Sequence, residues 1–123
     1  MKTKSIIGLV AGALLILSAG AHSILGWKAM SEQLAQTNAP PDLVQGLRMG
    51  WMFGGPVMLV FGILSITTFL KRFRGEAVST FAPALIATAY VAYAAFAAIA
   101  TGGDPFLFLF LVPGVLLAIA SIP

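Results

Sequence analysis

Hydrophobic and polar positions along this 123-residue chain form four long apolar runs separated by short polar stretches. Lys2 and Lys4 precede the first run, which extends from Ser5 to Trp27. The second lies between Asp42 and Lys71, the third follows Glu76 and reaches Ala100, and the fourth fills Phe106 to Ile122. About 20 mostly apolar residues cross the hydrocarbon core of a bilayer. The pattern therefore predicts membrane helices near residues 5–27, 47–70, 78–100 and 105–122, with an outer loop over 28–46. The expected fold class is all-α: a polytopic membrane protein, a four-transmembrane-helix bundle with short loops, forming a single domain over 1–123.

Local signals refine this outline. Pro41-Asp42 is a good helix start, since proline suits the first turn and a carboxylate there meets the positive end of the dipole. A helix from about Pro41 to Leu70 exceeds a bilayer's need, so its first turns should project or tilt. Pro56 within it predicts a bend near Met52 to Gly55, and Pro113-Gly114 predicts another in the fourth segment. Asp104-Pro105 reads as an N-cap followed by a first helical residue. The basic start and Ala19-Gly20-Ala21 before His22 also fit a cleaved signal peptide. Apolar character continuing through Ile24, Leu25 and Trp27 favours a retained first span.

Small residues recur at helical spacing. Gly8 and Gly12 share a face of the first helix with Leu15, Ala19, His22 and Gly26. Gly46, Gly50 and Gly54 come one per turn where the second helix begins. In lipid, small residues four apart let helix backbones approach closely. These five glycines are therefore expected packing positions, and the second helix is expected to be the central one.

Composition agrees with the pattern. The chain is 59% hydrophobic and 9% charged, with a mean hydropathy of +0.99. A soluble domain carries roughly 25% charged residues. The net charge of +3 comes from cations flanking apolar runs, which fits topology and lipid headgroups rather than nucleic acid. With four spans, Lys2, Lys4, Lys71, Arg72 and Arg74 share one side against Lys28 and Arg48 on the other, so both termini are expected in the cytoplasm of a bacterial-type inner membrane. Without cysteine there is no disulfide, thiolate metal site or thiol nucleophile.

Candidate chemistry is sparse. Ionisable groups at membrane depth are costly and merit scrutiny. His22 is first read as an interfacial histidine bonded to a backbone group, and second as a haem or metal ligand. A single histidine excludes bis-His ligation within one chain. Trp51 reads as an interfacial aromatic, and Arg48 as a snorkelling cation or a partner of Asp42, Glu32 or Asp104. The hydroxyls of Tyr90 and Tyr93, within the third span, need partners: interhelical bonds to Ser or Thr are the first reading, and lining a quinone, lipid or substrate cavity is the second. His22, Tyr90 and Tyr93 are the cofactor-binding candidates, although no cofactor and no metal are expected. His22, Arg48, Trp51, Tyr93 and Asp104 converge on one leaflet as a candidate outward pocket. No catalytic set is visible, and an enzyme ranks last.

Small four-span multidrug exporters have a similar length, but they use an acidic residue in the first span, where this chain has none. The leading expectation is a structural, interaction or accessory subunit, partnered by lipid and by a membrane protein or a second copy through its glycine-rich faces. The alternative is a small transporter or a lipophile- or cofactor-binding protein with an outward-facing pocket.

Overall fold

The computed structural model describes all 123 residues, and its regular structure is all helix, with no strands. Helix α1 (Lys2–Ala21) continues through a π-helical turn, His22–Gly26, into α2 (Trp27–Gln36). Helix α3 spans Pro41–Phe73 and α4 spans Phe81–Thr101. A 3-10 turn, Pro105–Leu107, leads into α5 (Phe108–Ser121). Three continuous helices are long and apolar enough to cross a membrane: Lys2–Gln36, Pro41–Phe73 and Phe81–Thr101. The fourth, Pro105–Ser121, is apolar but shorter.

The expected outer loop over 28–46 is mostly helix. Ala29, Met30, Glu32, Gln33, Leu34, Ala35 and Gln36 favour helix and contain no breaker, so the first helix runs on past the apolar run. It stops where Asn38 turns left-handed, at φ 52°, just before Pro40-Pro41. Helix α3 starts at Pro41 with Asp42 in its first turn, passes through Pro56, and ends one turn later than expected. Its end is marked by Gly75, at φ 86°. Asp104 caps the turn before α5, its carboxylate accepting from Phe106 N–H at 2.8 Å.

The centre of the bundle is α1, not the helix that begins in the glycine series. Helix α1 lies between α3 and α5, α4 packs on α5, and α3 touches α4 only lightly. The reason is the wide small-residue stripe of α1: Ser5, Gly8, Ala11, Gly12, Leu15 and Ala19 are all buried. Where α1 crosses α3, a Cβ added at Gly12 would come within 3.1 Å of the Gly62 carbonyl, and one at Gly62 within 2.9 Å of the Gly12 carbonyl. Only two glycines allow that backbone approach. Gly8 faces the ring of Phe69. The core around this seam comprises Ala11, Leu15, Phe69, Ile86, Ala87, Tyr90, Leu117 and Ala120.

At the end of the bundle holding Lys2, cations close the last helix. Arg72 is buried, and its guanidinium donates to the Ala120 carbonyl at 2.8 Å and the Ile122 carbonyl at 3.4 Å. Lys4 Nζ donates to the Ile122 and Pro123 carbonyls, and Thr80 Oγ1 to that of Ser121 at 2.9 Å. The final carbonyls of a helix have no partner within it, and these side chains supply partners from α1, α3 and the loop before α4.

Candidate functional site

The π-helical turn His22–Gly26 sits where α1 meets the middle of α3. Such turns widen a helix locally and re-aim the side chains that follow. His22 and Trp51 are joined here by three contacts. Trp51 Nε1–H donates to the His22 carbonyl at 2.8 Å. His22 Nε2 lies 2.8 Å from the Trp51 carbonyl. The two rings stack at 4.6 Å between centroids and 6° between planes. A carbonyl oxygen only accepts, so Nε2 carries the proton. In the neutral imidazole Nδ1 is then an acceptor, and it has no partner in the chain.

Glycine makes room for this pair. A Cβ at Gly54 would stand 2.6 Å from His22 Nε2, and one at Gly26 would stand 2.9 Å from the Trp51 ring. Gly46 and Gly50, expected as packing positions, meet nothing within 4 Å. They lie in the first turns of α3, beside α2, where the projecting hairpin has no further helix against it.

Beside the stacked pair is a cavity of about 340 Å³, to which all four helical arms contribute. Ser18, Ala21, His22, Leu25 and Gly26 line it from the first arm, Trp51 and Met58 from α3, and Tyr90 from α4. Phe106, Leu109 and Phe110 close it from the fourth arm. Tyr90 is buried and packs against Phe61 and Phe110, with centroids 6.3 and 6.0 Å away. Its hydroxyl forms no hydrogen bond in the chain; the Ser or Thr partner expected for it is absent.

The cavity thus gathers His22, Trp51 and Tyr90, and leaves out three residues grouped with them from the sequence. Arg48 is exposed on the projecting part of α3 and forms no ion pair. Asp104 is exposed and spends its carboxylate on the Phe106 N–H. Tyr93 is 49% exposed, its ring edge-on to Phe110 at 4.6 Å. Three residues past Tyr90 falls about 60° short of a full turn, and that offset sets Tyr93 at the edge of the inward face, half exposed on the flank of the bundle.

Sequence reasoning missed the phenylalanine wall. Phe106, Leu109 and Phe110 carry a signal in their i, i+3, i+4 spacing, but a uniformly apolar segment does not reveal which face turns inward. It also missed Arg72, read as one more cation of a loop. The hint was the fourth segment's end, which has no charged residue of its own. No three potential metal-ligating side chains come together anywhere in the chain.

No protein-family model matches the chain, and no curated protein or solved structure resembles it.

Proposed function

We propose that this chain is a small integral membrane protein whose four helical arms cross the bilayer and hold a lipophilic small molecule in the cavity beside His22 and Trp51. The observation that carries this reading is the cavity itself: about 340 Å³, walled by apolar and aromatic side chains, with only a few polar groups turned to it. Sites of this size and lining bind small apolar molecules, and the few polar groups orient them.

Membrane insertion is supported by the outer surface. Leu17, Ile24, Phe53, Phe81, Phe96 and Ile99 are each between 62% and 85% exposed. An apolar surface this extensive suits lipid rather than water. Lys2 lies 6.0 Å from the Phe73 ring, and Lys4 and Arg72 share the Ile122 carbonyl, so the basic residues of both segments gather at one end. That end is assigned to the cytoplasm of a bacterial-type inner membrane, with both termini on that side. His22 is 20 residues beyond Lys2, roughly 30 Å along the helix, a separation that supports a cavity mouth near the outer interface.

A specific observation favours a second reading, that of an accessory or interaction subunit. Leu43, Leu47, Met49 and Phe53 are exposed around Gly46 and Gly50, leaving this part of α3 apolar and uncovered.

Extraction into lipid nanodiscs from native membranes, followed by mass spectrometry of the retained small molecules, tests the pocket. A lipophile present in stoichiometric amount in the native protein and lost from Met58→Trp, which fills the cavity, is the expected result. If no small molecule is retained and lipophilic probes show no saturable binding, the interaction reading replaces it.

A further inference from the structure

We infer that the ligand of this cavity is an apolar alcohol or phenol, and that His22 Nδ1 accepts its hydroxyl hydrogen. This deepens the lipophile-binding reading and rests on it. The assignment follows from the proton on Nε2. The Trp51 carbonyl holds that proton at 2.8 Å, which leaves Nδ1 as a lone-pair acceptor with no partner in the chain. The ring cannot easily turn to exchange its two nitrogens. It is held by its bond to Trp51, by the Trp51 indole stacked on its face, and by Gly54 against the Nε2 edge.

A fixed acceptor on a residue that lines a mostly apolar cavity discriminates between ligands. A ketone, ether or hydrocarbon would displace water from Nδ1 and return nothing, while a hydroxyl returns the hydrogen bond. Rigidity also favours binding, because no side-chain freedom remains to be lost. Tyr90, with its hydroxyl unbonded in the chain, is a second polar contact that donates to any ligand oxygen. As a donor it strengthens binding of phenol and ether alike, and Tyr90→Phe separates any acceptor part it plays from that of His22.

The test uses 4-nonylphenol and its methyl ether. They are titrated into the full chain in nanodiscs, on a Trp27→Phe background that leaves Trp51 as the sole tryptophan reporter. The affinity ratio of phenol to ether should fall about tenfold in His22→Phe, which keeps an aromatic ring against Trp51 and carries no hydrogen-bond acceptor. In Tyr90→Phe both probes should weaken together and the ratio should stay as in the native chain. Partition of the two probes into nanodiscs without protein gives the reference ratio if His22→Phe does not fold. Saturable binding of both probes with a ratio no higher than the reference overturns the hydroxyl assignment and leaves the pocket standing. Failure of both probes to perturb Trp51 overturns the pocket and the assignment together.

Discussion

At the scale of single residues, glycines of the same series play opposite parts. Gly54 faces His22, with 2.6 Å between the position of an added Cβ and Nε2, while Gly50 faces open space. Gly54→Val should therefore cost about 1–3 kcal/mol and separate the stacked rings, because the added side chain pushes His22 Nε2 off the Trp51 carbonyl. Gly50→Leu should cost no more than about 0.5 kcal/mol in the single chain. Thermal unfolding in detergent, with Trp51 emission on the Trp27→Phe background, checks both. Equal losses would mean that another copy or a partner covers Gly50. The spacing 46, 50, 54 was legible in the sequence, but the side of the helix facing a neighbour was not. Spacing specifies relative angles around a helix and leaves its rotation free.

At the scale of elements, two features determine how the arms meet. The first is the π-helical turn at His22–Gly26, which nothing in the residue pattern announced. An apolar-run reading counts residues and assumes a uniform 3.6 per turn, so a local insertion is invisible to it. Trp51→Phe removes the indole bond to the His22 carbonyl and keeps most of the stacking area. It should lower stability by about 0.5–1.5 kcal/mol, measured by thermal unfolding in detergent followed by far-UV circular dichroism. The second feature is the closure of α5 by Arg72. Arg72→Met keeps the apolar stem and leaves the Ala120 carbonyl without its buried donor. A loss of roughly 1–3 kcal/mol is expected, with faster amide exchange confined to the last turn of α5. Unchanged exchange there would show that Lys4 and Thr80 suffice.

At the scale of the whole molecule, topology is the open measurement. The chain has no cysteine, so single introduced thiols report without background. Ser31→Cys on α2 should label with a membrane-impermeant reagent applied from outside. Glu76→Cys, in the loop after α3, should label only after the membrane is permeabilised. The reverse pattern would invert the protein and place the cavity mouth toward the cytoplasm.

The amino-acid sequence by itself determined the helical class, the four apolar arms and the breaks at Pro41-Asp42 and Asp104-Pro105. Those properties are local: they follow from apolar run length and from residues that stop a helix. It also marked His22, Trp51 and Tyr90 as groups needing explanation, because polar atoms within apolar runs are few. Only the tertiary structure decided that α1 is central, that Tyr90 and not Tyr93 turns inward, that Arg48 and Asp104 stand apart from the cavity, and that Arg72 is buried. Each of those depends on helix rotation and on which arms are neighbours. In arms apolar on nearly every side, no polar face orients the helix, so rotation is decided where glycine lets a neighbour come closest: the backbone at Gly12 against Gly62, and the His22 ring at Gly54.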